Sequence, residues 1–447
     1  MSHDIALSST KIGLPPSQMP DHRQTPGAWA GSGTSCRGDA PHPGCAENTA
    51  GSGDHSRRSK PGRSARRLVA SICYHCHAAM RVGIDYRPAV LTTSGIGRAV
   101  RELVRALAAK GEIEPQLFAH SMARARVPAT VPAGARLHRW PVPGRSLPIL
   151  SRLGLGAERL CASVPVFHWT DYIHPPIASS SVVLTLHDLA FAEDENYHGA
   201  EQSAVLLERC HRAAQQARLI VTPTRATAKS ARQLLGLPES KLVVVPFGSD
   251  HVPAQPGPNP IPERSFVTCV GTIEPRKNHQ RLLEAWQLLP DPRPLLVVIG
   301  RPGWECHETV DALRKAQNQG WLRWLQQADD ATVYAHIANA RALVYPSLLE
   351  GFGFPPLEAM ALGTPVIAGD AEALREVLGT AAHYCVANEP AKIAQSIGAV
   401  LNDRDLGREL VQKGRQRAAR FSWADTANGY ARAYRQALAP EVAGSPL

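Results

Sequence analysis

Glu350 and Glu358 stand eight positions apart in Glu350-Gly-Phe-Gly-Phe-Pro-Pro-Leu-Glu358, around a glycine-rich turn, and Ala359–Leu362 is predicted to continue as a helix. Glycines at 351 and 353 let a backbone approach a ligand closely, and the open N–H groups of a helix start suit an anion or a sugar hydroxyl. A carboxylate at each end can then grip the hydroxyls of one extended ligand. Arg276 and Lys277 follow the apolar run Ser265–Gly271 and offer two fixed positive charges to an anionic leaving group. His187 closes the run Leu184-Thr-Leu and precedes Asp188, which puts an imidazole at a strand end. Gly95 and Gly97, in Thr92-Thr-Ser-Gly-Ile-Gly-Arg98, form a turn between a strand and an amphipathic helix, where backbone N–H groups can meet a diphosphate.

The E-x7-E spacing resembles the signature of retaining glycosyltransferases with two facing Rossmann-like domains, the GT-B type, and most closely glycosyltransferase family 4. Gly271-Thr-Ile-Glu-Pro-Arg276-Lys277-Asn278-His279 resembles the family's phosphate-binding segment. Leu184-Thr-Leu-His187-Asp188-Leu189 resembles its amino-domain active-site strand end, and Gly363-Thr-Pro-Val-Ile-Ala continues the carboxylate motif as the family does. The likeness runs from about Met80 to about Leu438. It implies that Glu350 sits beside the donor sugar, that Glu358 takes the ribose hydroxyls, and that Gly353, Phe354 and Leu357 help recognise sugar or phosphate. It implies that His187 faces the anomeric region, and that transfer proceeds with retention by same-face attack, the leaving phosphate accepting the proton. The Glu-Pro-Arg-Lys-Asn form together with Leu-His-Asp-Leu resembles bacterial mannosyltransferases of surface polysaccharide assembly. GDP-mannose leads as donor with a UDP-hexose behind it, and a polyprenyl-linked or lipopolysaccharide glycan is the implied acceptor. Neither cofactor nor metal is required.

Alternating apolar runs and helical patterns must position these residues, so the fold class is α/β: two facing, doubly wound Rossmann-like domains with a cleft between them. Strands are predicted at Met80–Asp85, Val164–Trp169, Ser181–Leu186, Leu219–Thr222 and Leu242–Pro246, and then at Ser265–Gly271, Pro294–Gly300, Ala342–Pro346 and Thr364–Ala368. Helices are predicted around Ala204–Ala217 and Ala226–Leu235. The first domain spans 80–255, the Pro-rich stretch His251–Pro262 is the linker, and the second, nucleotide-sugar-binding domain spans 256–420. Phe421-Ser-Trp423 and a helix to Leu438 resemble the family's closing segment, which crosses back onto the first domain. Ser, Gly, Pro, His and Thr dominate Met1–Gly62, Arg57–Arg67 is a basic run, and residues 1–79 read as a disordered or mis-called extension before Met80.

The chain carries a net charge of +10 over 447 residues. Residues 1–165 hold 22 Lys and Arg against 10 Asp and Glu, so the basic side is the amino half. Arg98, Arg101, Arg105 and Lys110 recur at helical spacing, and Arg124, Arg126, Arg136, Arg139 and Arg145 follow in a stretch read as loop-rich. Such a face can meet an anionic membrane surface. Basic residues interleaved with aromatics are absent, which removes nucleic acid as a partner. No run reaches the length of a membrane-spanning helix and no secretory leader opens the chain, which places it in the cytoplasm, with a peripheral position on the inner membrane face as an extension. The nine cysteines lack framework spacing and suit a reducing compartment.

Other patterns carry less. Asp403-Arg-Asp405 has metal-site spacing but lies in a polar, helix-rich stretch without a preceding strand. Cys73-Tyr-His-Cys76-His77 has the spacing of covalent haem attachment but lies in the extension. A dinucleotide-dependent oxidoreductase would need a third glycine where Val100 stands. A non-catalytic glycan- or nucleotide-sugar-binding module would lose some of Glu350, Glu358, Arg276, Lys277 and His187, all of which are present.

Overall fold

A computed structural model describes residues 79–440, apart from 93–94, 121–130, 195–196 and 198. The expectations for the amino-terminal extension, for Cys73–His77 and for Arg124 and Arg126 fall outside the described residues. Strands β1 (Met80–Asp85), β2 (Ile113–His120), β3 (Arg136–Trp140), β4 (Val166–Trp169), β5 (Ser181–Thr185), β6 (Leu219–Thr222) and β7 (Leu242–Val244) form one sheet. Its order is β3-β2-β1-β4-β5-β6-β7 and every pairing is parallel. Helices α1 (Arg87–Leu91), α2 (Gly95–Lys110), α3 (Leu147–Arg152) and α4 (Arg225–Leu235) belong to this half.

The second half repeats the plan with β8 (Phe266–Val270), β9 (Leu295–Ile299), β10 (Leu322–Leu325), β11 (Leu343–Tyr345), β12 (Val366–Gly369) and β13 (His383–Cys385), in the parallel order β10-β9-β8-β11-β12-β13. Its helices include α5 (Asp330–Asn339), α6 (Phe354–Leu362), α7 (Glu372–Leu378) and α8 (Arg404–Ala418). Both strand orders reverse next to the first strand of their sheet, between β1 and β4 and between β8 and β11. Side chains at the carboxyl ends of strands flanking such a reversal line a crevice, because neighbouring connections leave on opposite faces there. These are two Rossmann-like domains. The central strands are apolar on both faces, as helix-covered parallel strands must be: Leu295–Ile299 is buried throughout.

Four strands were not anticipated from the sequence. β3, at the sheet edge, is half-solvated and carries Arg136 and Arg139, so the stretch read as loop-rich contains a strand. The apolar run of β2 is interrupted by Glu114, Pro115 and Gln116, β10 alternates an exposed Arg323 with buried neighbours, and β13 is three residues long.

Helix α9 (Trp423–Leu438) returns to the first sheet. Trp423, Ala427, Tyr430, Ala431, Tyr434 and Ala437 are buried at three- and four-residue spacing, giving one apolar stripe. Its hydroxyls register it on the strands: Tyr430 Oη lies 2.8 Å from Thr185 Oγ1, and Tyr434 Oη 2.9 Å from His168 Nδ1. One buried cluster runs from Val82 and Val183 of the first sheet, through Phe247, Phe352, Phe354 and Trp423, to Val297 and Leu343 of the second.

Candidate active site

Arg276 and Lys277 occupy a tight turn after β8, pinned by Asn278, whose left-handed backbone (φ 62°) reverses the chain and whose Nδ2 donates to the carbonyls of Pro346 (3.1 Å) and Ala387 (2.7 Å). The turn is laced to the loop after β11: Leu348 N–H donates to the Arg276 carbonyl at 2.8 Å, and Arg276 Nη1 donates to the Leu349 carbonyl at 3.2 Å. Glu350 leaves that loop into the pair of cations. Its Oε1 accepts from Lys277 Nζ, and its Oε2 lies 3.4 Å from Arg276 Nη1. Lys277 Nζ also donates to Tyr345 Oη at 2.7 Å, and Arg276 Nε lies 2.7 Å from Glu274 Oε1. Burial alone would raise the Glu350 carboxyl, but the charges of Lys277 and then Arg276 outweigh it and hold the group down at about 2. Burial and the Arg276 charge push Lys277 below its ordinary value. The result is an ionised carboxylate clamped by two cations at the mouth of the second sheet.

Glu358 lies in the second turn of α6, 1% exposed. Its Oε1 accepts from Arg98 Nη1 of the first domain and from His251 Nε2 at 3.0 Å, while its Oε2 is buried with no hydrogen-bond partner. Burial works against its ionised form, yet Arg98 and His251 bring the carboxyl below its ordinary value. An unsatisfied buried carboxylate oxygen costs about 1–3 kcal/mol, so this atom is poised for an incoming donor. Arg98 Nη2 reaches Asp330 Oδ1 of α5 at 2.5 Å.

His187 lies just beyond β5. Its Nε2 stands 2.9 Å from the Thr170 carbonyl, which can only accept, so the ring proton is on Nε2 and Nδ1 is left as an acceptor. Burial keeps its pKa below the ordinary histidine value, outweighing Thr170 and Asp188. A β-carbon on Gly351 would fall 1.8 Å from the His187 carbonyl oxygen, and Thr224 Oγ1 of the first domain donates to the Gly351 carbonyl at 3.0 Å. The close approach that Gly351 permits here is therefore to the opposite domain's backbone. Gly353, at φ 95°, caps α6 where a β-carbon would meet Leu374 at 2.6 Å.

The remaining predicted positions divide. Gly95 and Gly97 belong to the first turn of α2, not to a turn between strand and helix, because α1 already occupies that connection. Gly97 faces the carbonyls of Thr92 and Pro88, 2.6 and 2.8 Å from where its β-carbon would lie, whereas Gly95 faces Phe354 across the cleft at 3.5 Å. Phe354 stacks on Phe247 with ring centroids 5.5 Å apart. Leu357 is fully buried in the core, and its N–H turns back toward the Gly353 carbonyl. Arg98 and Arg101 do not extend a basic face: the first is consumed by Glu358 and Asp330, the second donates to the carbonyls of Ala89 and Thr92. Asp403 caps α8, accepting from the N–H groups of Asp405 and Leu406. Among the described residues no group of three or more His, Cys, Asp or Glu is placed to hold a metal ion, and no helix is long and apolar enough to cross a membrane.

Sequence reasoning missed His251, Tyr345 and Asp171. Asp171 follows β4 among Asp85, Arg87 and Asp188, and burial pushes its carboxyl up to about 7. Its signal was an acid two residues past a buried strand, the same signal that marked His187. His251 carried none, because its partners come from distant segments.

Two family models cover most of the chain. The one described as Glycosyl transferase 4-like domain matches residues 94–248, and the one described as Glycosyl transferases group 1 matches 253–417. The chain is 29% identical over 385 residues to the O-antigen chain mannosyltransferase B of Escherichia coli, across 80% of this chain and all of that one. Among solved structures, the sucrose-phosphate synthase of Thermosynechococcus elongatus superposes with a TM-score of 0.64 at 19% identity, over 80% of this chain and 98% of that one. HepE of Anabaena, in complex with UDP-glucose, also gives 0.64, at 15% identity over 80% of this chain and all of that one.

Proposed function

The chain belongs to glycosyltransferase family 4, of the GT-B type, and we propose that it moves mannose from GDP-mannose, with retention, to a lipid-linked surface-polysaccharide glycan. The observation that carries this reading is the clamp of Arg276 and Lys277 on Glu350 beside the backbone contact of Gly351 with His187. It gathers cations for a leaving diphosphate, a carboxylate for sugar hydroxyls and an imidazole acceptor in one crevice. Negative charge grows on the diphosphate as the glycosidic bond breaks, and two buried cations already oriented by Glu274, Glu350 and Tyr345 meet it without reorganising. Glu350, ionised at working pH, accepts hydroxyls of the transferred sugar. Glu358 Oε2 accepts from the ribose. His187 Nδ1 faces the anomeric region as a neutral acceptor. The leaving phosphate takes the acceptor's proton, so neither cofactor nor metal enters a step.

The mannosyl reading is supported by the E. coli relative, a mannosyltransferase by name. The experiment is thermal stabilisation of the protein by GDP, UDP, ADP and TDP, followed by transfer from the matching nucleotide sugar and assignment of the product anomer by NMR. GDP-selective stabilisation and an α-mannoside support the reading; UDP selectivity moves the donor to a UDP-hexose, and an inverted product removes retention.

The acceptor's lipid calls for a surface that meets a bilayer from the cytoplasmic side. Ile149 and Leu153, four apart at α3, are 61% and 72% exposed, and Arg152 and Arg159 are exposed in the same segment. Apolar side chains standing out among arginines suit an anionic membrane surface.

A further inference from the structure

His251 starts the passage from the first sheet to the second, and Trp423 opens the helix that returns. The Trp423 indole Nε1 donates to His251 Nδ1 at 3.0 Å, and His251 Nε2 lies 3.0 Å from Glu358 Oε1. An indole N–H can only donate, so Nδ1 must present its lone pair and the ring proton sits on Nε2, aimed at the carboxylate. The His251 side chain is 3% exposed, and the segment before it is tied to the returning chain at three further points. Ser249 N–H donates to the Phe421 carbonyl at 2.9 Å, Trp423 N–H donates to Asp250 Oδ1 at 2.8 Å, and a β-carbon on Gly248 would fall 2.3 Å from Trp423 N. The histidine is therefore fixed in position, rotation and tautomer. Two donors, Arg98 and His251, converge on Glu358 Oε1, leaving Oε2 as the buried acceptor without a partner.

We propose that His251, oriented by Trp423, is a positioning residue for the donor: it turns the Glu358 carboxylate so that Oε2 receives the vicinal hydroxyls of the nucleotide ribose. This rests on the reading of Glu358 as the ribose carboxylate. Arg98 comes from the opposite domain and its hold on Oε1 depends on closure, whereas His251 and Trp423 lie where the chain itself crosses between the domains. The dyad holds the carboxylate through linkages internal to the crossing, and it acts on the nucleoside end of the donor without touching the diphosphate cations.

The test is calorimetric binding of two probes to the full-length protein: inorganic pyrophosphate, and whichever of GDP, UDP, ADP and TDP stabilises the unaltered protein most. His251→Phe removes the donor to Glu358 and is expected to weaken the nucleoside diphosphate about tenfold, the loss of one charge-assisted hydrogen bond, with pyrophosphate affinity unchanged. Donor KM rises more than kcat falls. His251→Gln, whose amide can donate from near the Nε2 position, recovers most of the affinity. Should His251→Phe not fold, Trp423→Phe is read in the same way, with a smaller loss confined to the nucleoside diphosphate. Equal loss of both probes, no loss of either, or a Gln variant as weak as the Phe variant overturns the assignment. Failure of the underlying reading is visible in the unaltered protein, which would then show no preference for nucleoside diphosphate over pyrophosphate.

Discussion

The carbonyl oxygen of His187 and the α-carbon of Gly351 meet so closely that a β-carbon on the glycine would lie 1.8 Å from that oxygen. Residues 164 positions apart in sequence, one from each domain, thus touch through backbone, the glycine directly following Glu350.

Gly351→Ala forces the two domains apart at that point, since a carbonyl on a strand end cannot retreat as a flexible side chain would. Misplacement of reacting groups by about 1 Å costs on the order of a hundredfold in rate. A fall of that size in kcat/KM, with each domain still folded by circular dichroism, is the expected outcome; near-normal turnover would show that productive geometry does not need this contact.

Arg276→Ala and Glu350→Ala should separate binding from chemistry. On the proposed reading the arginine meets the diphosphate, so its loss should weaken nucleotide affinity by roughly tenfold or more, as for a charge-assisted contact. On the same reading the glutamate meets the transferred sugar, so its loss should lower turnover while nucleoside diphosphate still binds. Calorimetry with the free diphosphate and steady-state kinetics with the sugar nucleotide read the two effects; full activity in both variants would remove them from the site.

Glu350 also makes stability depend on pH. Its folded carboxyl titrates at about 2 against an ordinary 4.5, so the unfolded chain binds the proton more readily. The stabilisation is fully present above the unfolded value and is lost as pH falls from about 4.5 towards 2. Glu350→Gln leaves Lys277 and Arg276 short of a counter-charge and should cost about 3 kcal/mol at neutral pH. Chemical denaturation from about pH 3 to about pH 7, a span that crosses the ordinary carboxylate values, should show the variant's slope flattened relative to the unaltered protein; parallel curves would mean that Glu350 is not the titrating group.

Ile149→Asp with Leu153→Asp tests the membrane surface. Co-sedimentation with vesicles containing phosphatidylglycerol should fall by about tenfold or more, since each of these two exposed side chains gains up to roughly 1.5–3 kcal/mol when it leaves water for the bilayer, while transfer to a soluble glycan acceptor is unchanged. Unaltered co-sedimentation would place any membrane contact elsewhere.

The residues of the candidate site were legible where their signals are local. Glu350 and Glu358, the Arg276-Lys277 turn and the strand end at His187 each announce themselves within a few residues, because glycine turns, helix starts and apolar runs are short-range signals. Most inner strands were legible for the same reason, since strands covered on both faces must be apolar along their length; β2 was the exception, because Glu114, Pro115 and Gln116 interrupt its apolar run. β3 was not legible, because an edge strand with one side in water keeps its arginines and shows no apolar run.

The sequence by itself determined an α/β chain with two repeated halves and the residue types of the candidate crevice. Only the tertiary structure decided what those residues touch. Arg98, read as one of a basic series, turned out to be spent on Glu358 and Asp330; Gly351 admits the His187 carbonyl; and His251, read as the start of a linker, is fixed between Trp423 and Glu358. Each partner is more than a hundred residues away, and the pairing follows from two domains and a returning helix packing together. No spacing along the chain encodes such a contact, because its energy exists only once the desolvated groups have been brought face to face.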